Sequence, residues 1–213
     1  MTSKNIESTK EKVSYCIGFE TGKNLKMQFS DVQVDLLIQG FQDALHGAEA
    51  KLPEKEIIAI LTTLRQQIEV QQKQYIAQLA DKNKKDGETY LIENRKKDGV
   101  TTLPSGLQYK IVKKGLGGDT PTPFDTVKIH YKGTFLDGTT FDSSYDRGVP
   151  QVLPVNRVIQ GWSEALQLMS VGDSFQLYIP HYLAYGEHGF GPHIGPNSTL
   201  IFDVELLEIN PKE

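Results

Sequence analysis

The sequence predicts an α+β chain: an all-α N-terminal dimerisation region with a long linker helix, then an antiparallel β-sheet wrapped on one short helix. Three observations carry this. Of the 10 prolines only Pro53 precedes residue 101, and the 19 glycines divide 6 to 13 across that point. Proline breaks helices and glycine weakens them, so only the first half is free to be helical. Apolar residues recur at helical spacing at Ile57, Leu61, Leu64 and Ile68, whereas Val127, Ile129 and Tyr131, and later Leu200, Phe202, Val204 and Leu206, alternate as on a half-buried strand. Finally, Asp137-Gly138 between two such runs is the strongest short hairpin signal.

Composition sets the outer bounds. With 23 Lys and Arg against 27 Asp and Glu the net charge is -4, which argues against a protein that coats nucleic acid, because phosphate binding needs a basic surface. No stretch approaches the roughly 20 apolar residues of a membrane span. Cys16 is the single cysteine, so neither a disulfide within the chain nor a Cys-rich zinc site is available. Residues 1–9 show no basic start and no apolar signal core. As written the chain is expected in the cytoplasm, with the periplasm or cell surface as the alternative if an export signal was trimmed.

In the first half, residues 9–28 read as a helix with Val13, Ile17 and Leu25 near one stripe. Gly18 and Gly22 form a Gly-x-x-x-Gly pair; each costs about 1 kcal/mol against alanine in a helix, so the pair is expected to serve close approach of another backbone. A second helix over 34–46 places Leu37, Phe41, Ala44 and Leu45 on one side and stops at Gly47. Pro53 then opens a third helix with Glu54 and Glu56 at its positive end. No proline follows before Leu103, so it is expected to run to about residue 97, on the order of 60 Å at 1.5 Å per residue. Residues 66–85 are too polar to be buried all round and read as a solvated stalk. Three helices with narrow apolar stripes make little core, so a second copy of the chain is expected to complete them. The division that follows is 1–52 for dimerisation, 53–100 for the stalk and 101–213 for a β-rich domain.

In the second half, 107–112, 126–135, 174–180 and 198–209 read as strands and 162–169 as one short amphipathic helix, with Trp162, Ala165, Leu166 and Met169 at helical spacing. Gly161-Trp162-Ser163-Glu164-Ala165 lacks the last glycine of a nucleophile elbow and no parallel α/β order surrounds it. His181, His188 and His193 lack the spacing of a metal site. Gly115-Leu116-Gly117-Gly118 is neither a P-loop nor a dinucleotide fingerprint. No covalent mechanism and no cofactor is expected. What stands out is an aromatic and aliphatic set spread over separate strands and loops, Tyr131, Phe141, Val158, Ile159, Trp162, Tyr185, Phe190, Ile194 and Phe202, with Asp142 beside Phe141. An apolar cup with a few polar groups is how small binding sites are built.

The ordered runs Val127-Lys-Ile-His-Tyr131-Lys-Gly133, Asp137-Gly-Thr-Thr-Phe141-Asp142, Val158-Ile-Gln-Gly-Trp162, Ala184-Tyr185-Gly186 and Ile194-Gly-Pro196 through Phe202 resemble the FKBP family of peptidyl-prolyl cis-trans isomerases over essentially all of 103–209. Ser14-Tyr15-Cys16-Ile17-Gly18, Gly22-Lys23-Asn24-Leu25 and Leu103-Pro104-Ser105-Gly106-Leu107 are similar to bacterial Mip-like, two-part members, whose N-terminal helices dimerise. The resemblance implies an FKBP-like fold for the second half and a proline pocket lined by Tyr131, Phe141, Asp142, Val158, Ile159, Trp162, Tyr185 and Phe202. It makes Tyr131, Phe141, Asp142 and Tyr185 the catalytic set and assigns substrate or ligand binding to Arg147, Val158, Ile159, Trp162, Phe190, Ile194 and Phe202. Trp162 would form the floor, Ile159 N–H and the Tyr185 hydroxyl would hold bound carbonyls, and Arg147 would pair with Asp142. Two positions depart from the single-domain relatives: Phe190 replaces a histidine and Arg157 an acid. The aromatic expected soon after Arg147 has no clear counterpart among Val149, Gln151 and Leu153. The implied partners are proline-containing polypeptide clients, macrolide inhibitors of the FK506/rapamycin type, and a second copy bound through residues 1–52. The implied function is acceleration of X-Pro rotation in protein folding with chaperone-like client binding; the alternative is a mainly non-catalytic holdase or binding module using the same pocket.

Overall fold

The structure, a computed structural model, describes residues 5–29, 31–115 and 117–212. Residues 1–4 of the polar start and Leu116 of the glycine-rich loop lie outside them. Two compact units emerge, Met1–Gln66 and Gln67–Glu213.

The first unit holds α1 (Thr9–Gln28), α2 (Val34–Leu45) and the start of α3 (Glu54–Asn94). Ser8 caps α1 in a reciprocal box: Glu11 N–H donates to Ser8 Oγ at 3.2 Å and Ser8 N–H to Glu11 Oε2 at 3.0 Å, satisfying two of the donors a helix start leaves open. α2 ends at Leu45, with His46 as its cap and Gly47 in the left-handed region at φ 68°. The expectation for Gly18 and Gly22 is not met within this chain, since nothing lies within 4 Å of where a Cβ would stand on either. No described residue from 5 to 66 is buried, and Tyr15, Ile17, Phe19, Leu36, Ile38 and Phe41 are all exposed.

The second unit is built on a seven-stranded sheet in which every pairing is antiparallel: β1 (Val100–Thr102), β2 (Gln108–Lys113), β3 (Thr126–Thr134), β4 (Thr140–Ser143), β5 (Gln151–Pro154), β6 (Ser174–Ile179) and β7 (Leu200–Ile209). The spatial order is β1-β2-β6-β7-β3-β4, with β5 also paired to β3. Alternation decides which face is buried: Val127, Ile129 and Tyr131 of β3 and Leu200, Phe202, Val204 and Leu206 of β7 point inward. They meet α4 (Gln160–Leu166), whose Trp162, Ala165 and Leu166 are buried. Gly161 lets α4 lie down on the sheet, because a Cβ there would stand 2.5 Å from Ile179 Cγ2.

Four expectations are corrected. β1 and β5 were not foreseen; each is short, and β5 lies between Pro150 and its own last residue Pro154. α4 starts two residues earlier and ends three earlier than the 162–169 helix, since Ile159 serves as its cap and Met169 lies beyond it. α3 stops at Asn94, not near 97, where the wholly buried Asn94 donates from Nδ2 to Gln108 Oε1 at 3.0 Å. Its last third is no free stalk: Asn83 Nδ2 donates to Pro196 O at 2.8 Å, Asn197 Nδ2 donates to Ala80 O at 3.3 Å, and Gly87 leaves no room for a Cβ beside Thr199.

Candidate active site

Six elements converge on one cavity. β3 contributes Tyr131, β4 contributes Phe141 and Asp142, β5 contributes Leu153, the 3-10 turn 155–157 and its continuation bring Arg157, Val158 and Ile159, α4 contributes Trp162, and β7 contributes Phe202; Tyr185 reaches in from the loop after β6. The cavity holds about 270 Å3. Other hollows in the chain are larger, including one of about 540 Å3 lined by α2 and the residues after it. What singles this one out is ring geometry around a charged pair.

The rings meet edge to face. Trp162 and Phe202 have centroids 5.1 Å apart at 80°, Tyr131 and Trp162 5.0 Å apart at 76°, and Phe141 and Phe202 5.5 Å apart at 90°. In such pairs the positive edge of one ring faces the negative face of the next. The packing depends on Gly133 of β3: a Cβ there would stand 2.6 Å from Phe141 and 2.7 Å from Phe202. Trp162 is only 5 % exposed and its indole Nε1 has no hydrogen-bond partner among the described residues.

At the rim the Tyr131 hydroxyl donates to Asp142 Oδ2 at 2.5 Å, Arg147 Nη2 donates to that hydroxyl at 2.9 Å, and Arg147 Nη1 donates to Asp142 Oδ1. Burial alone would raise the Asp142 carboxyl, but the Tyr131 hydroxyl and the Arg147 guanidinium outweigh it and hold the group below its ordinary value of 3.8. Burial raises both phenols above their ordinary value, helped at Tyr131 by its bond to Asp142 and at Tyr185 by the Asp142 charge. Near neutral pH the rim therefore presents one carboxylate and two protonated phenols.

The structure thus brings together Tyr131, Phe141, Asp142, Val158, Ile159, Trp162, Tyr185 and Phe202. Three anticipated residues fall outside the lining. Arg147 bonds to Asp142 and Tyr131 from outside it. Phe190 is 62 % exposed and stacks on Tyr185 with centroids 4.9 Å apart at 21°. Ile194 is buried beneath, in a two-residue bridge with Phe190. Two lining residues went unassigned, Arg157, noted only as a departure from the relatives, and Leu153, whose signal is the register Val127↔Leu153, which no local pattern exposes.

A profile described as FKBP-type peptidyl-prolyl cis-trans isomerase matches residues 117–207, and one described as the domain amino terminal to FKBP-type peptidyl-prolyl isomerase matches residues 10–111. The FKBP-type 22 kDa peptidyl-prolyl cis-trans isomerase of Escherichia coli is 40% identical over 210 residues, covering 98% of this chain and 100% of that one. The chain belongs to the FKBP-type peptidyl-prolyl cis-trans isomerases. It is an enzyme of the two-part, Mip/FkpA-like kind. The crystal structure of FkpA from Escherichia coli covers 97% of this chain and 99% of its own, with a TM-score of 0.74 and 37% identity. The same matches support binding of proline-containing segments by this chain. The cytoplasmic placement is corrected. The Outer membrane protein MIP of Legionella longbeachae is 40% identical over 205 residues, 96% of this chain and 88% of that one, and it favours an envelope or surface location.

Proposed function

We propose that the cavity takes the proline of an X-Pro bond and accelerates its rotation, with Tyr131, Phe141, Asp142 and Tyr185 as the groups that act on the turning amide and Val158, Ile159, Trp162 and Phe202 as its walls. The observation that carries this reading is the convergence of edge-to-face rings around a carboxylate held ionised by Tyr131 and Arg147. An X-Pro bond turns over tens to hundreds of seconds because rotation breaks amide resonance, at a barrier of about 18–20 kcal/mol. A site that favours the twisted amide over both planar isomers lowers that barrier, at about 1.4 kcal/mol per tenfold in rate. The twisted amide is less charge-separated than the planar one, so an apolar cup favours it. Tyr185 can donate to a neighbouring carbonyl while the far side turns, and Ile159 N–H, at the α4 start, can hold a second. Asp142 moves no proton in this scheme; it orders the rim and fixes Tyr131. The macrolide class that binds such aromatic cups in the family is a candidate inhibitor here.

The assembly reading assigns 1–52 to dimerisation, 53–100 to a connecting helix and 101–213 to the isomerase domain. It is supported by the absence of any buried residue among those described from 5 to 66: three helices with their apolar side chains in water do not hold together unaided. The same exposed side chains favour a second reading, a holdase that grips unfolded segments through helices and pocket together. Two linked sites raise the local concentration for a long client. The two readings are separated by assaying isomerisation in a short X-Pro peptide and in a protein whose slow refolding phase is prolyl. Acceleration of both supports the isomerase; effects on the refolding protein alone, dependent on residues 1–100, support the holdase.

A further inference from the structure

The lining of the proline cavity includes two charged residues, Asp142 on β4 and Arg157 at the end of the 3-10 turn 155–157. Their situations differ. Asp142 is already engaged: Oδ2 accepts from the Tyr131 hydroxyl at 2.5 Å and Oδ1 from Arg147 Nη1. Arg157 is exposed, and among the described residues its guanidinium has no hydrogen bond, ion pair or ring contact. The turn that carries it rests on Asp125, whose carbonyl accepts from Val155 N–H at 3.0 Å. The Asp125 carboxylate is nonetheless spent elsewhere, with Oδ2 accepting from Thr122 N–H at 2.7 Å and Oδ1 from Asn210 Nδ2 at 2.7 Å.

The backbone under Arg157 is held on both sides. Before it, Val155 is wholly buried. After it, the Ile159 carbonyl accepts from Trp162 N–H at 2.9 Å and Ser163 N–H at 3.1 Å at the start of α4. A fixed base thus presents a free cationic head at the cavity. A guanidinium offers five N–H donors in a planar fork that fits both oxygens of a carboxylate.

We infer that Arg157 is a specificity-determining residue, which makes the enzyme favour clients with an aspartate or glutamate next to the proline. An incoming carboxylate meets a guanidinium without a competing partner in the chain, while the charge of Asp142 is balanced by Arg147. A lysine at the same place meets the free cation and is repelled. The position follows from the backbone: Arg157 stands two residues before Ile159, whose N–H is proposed to hold a client carbonyl, and Val158 between them is extended at φ -105° and ψ 174°. Two extended residues span about 7 Å, so the side chain that Arg157 meets belongs to a residue flanking the proline. The inference rests on the isomerase reading of the cavity, because it is the bound proline that brings the flanking residue to Arg157.

The test uses the full chain and two sets of short peptides, one with Glu, Gln or Lys immediately before the proline and one with the same three residues immediately after it. The quantity read is the ratio of kcat/KM for Glu over Lys within each set, from exchange NMR. For the unaltered chain the ratio is expected to be about three to five in at least one set at low salt, the scale of an exposed ion pair, and to fall toward one as salt screens it. Arg157→Gln is expected to bring the ratio to about one, Arg157→Glu to invert it, and Arg157→Lys to keep part of the preference. Because each ratio is taken within one protein, a general change in activity does not imitate the effect, and circular dichroism confirms that each variant is folded. A ratio near or below one in both sets for the unaltered chain, or a preference that survives in Arg157→Gln, would overturn the assignment while leaving the isomerase intact. No acceleration of any peptide by the unaltered chain would overturn the isomerase reading and the assignment with it.

Discussion

Tyr131 donates its phenolic proton to Asp142 Oδ2 at 2.5 Å, which ties the inner wall of the cavity on β3 to its rim on β4. Removing that proton donor alone separates the ring's packing from its bond. Tyr131→Phe keeps the edge-to-face contact with Trp162 but leaves Asp142 with Arg147 and the Ser143 backbone. With the carboxylate 41% exposed, the stability loss is expected near 1 kcal/mol by denaturant titration. The fall in kcat/KM is expected to be larger, about tenfold, because the amide then meets a looser rim. Equal rates in a folded variant would remove Tyr131 from the set that acts on the amide.

The charge states make a pH profile. The Asp142 carboxyl is depressed in the folded chain, so its contribution to stability is complete above the ordinary value of 3.8 and is lost as pH falls through the lower, folded value. The phenols of Tyr131 and Tyr185 are raised above 10.0 and remain neutral donors until pH passes their folded values. Isomerase activity is therefore expected to be flat from about pH 5 to about pH 9. A bell centred near neutrality would point to a proton transfer that this account does not contain.

Gly133 is where the fold and the site share one atom's worth of space. Gly133→Ala would place a methyl group 2.6 Å from Phe141 and 2.7 Å from Phe202. Both rings belong to the core, and overpacking of this kind costs about 1–3 kcal/mol. Calorimetry is expected to show that loss, and Trp162 fluorescence to show disturbed packing at the cavity floor.

Phe190 tests the rim. It is exposed, so Phe190→Ala is expected to change stability by less than about 0.5 kcal/mol. It stacks on Tyr185, the phenol proposed to meet the client. A severalfold rise in KM with little change in kcat is expected; a fall in kcat alone would place Phe190 in the rotation step instead of in binding.

The helices are expected to pair two chains. Light scattering should give a mass near 48 kDa, about twice the 23.8 kDa of one chain. A mass of one chain would leave the exposed apolar faces of α1 and α2 to clients.

Much of the fold is legible in the sequence, for reasons that differ by element. The alternation of β3 and β7 and the Asp137-Gly138 turn are local, so they announced themselves. α1 matches the 9–28 reading at both ends, and in the structure Ser8 and Glu11 cap its start. β5 was missed because two prolines flank a four-residue edge segment whose only ladder is with β3. The docking of α3 was missed because it rests on Asn83, Gly87 and Asn94, whose polar or small side chains read as solvent-facing until Pro196, Thr199 and Gln108 come beside them. In the site, the family resemblance supplied most of the lining, but not the placement of Leu153 within it or of Phe190 outside it. Leu153 depends on a long-range pairing with Val127 that no short window of sequence contains, whereas Phe190 sits in a local bridge with Ile194, four residues on.

The cavity is proposed to turn X-Pro bonds without covalent chemistry, through an apolar wall and the Tyr131–Asp142 rim. Exchange NMR on a proline-containing peptide measures cis-trans interconversion directly. The unaltered chain at catalytic concentration is expected to raise the exchange rate by orders of magnitude over the spontaneous process of tens to hundreds of seconds. Folded Asp142→Ala is expected to lose at least tenfold of that acceleration while still binding the peptide. Peptide binding with no acceleration by the unaltered chain would contradict the account and leave a binding module in its place.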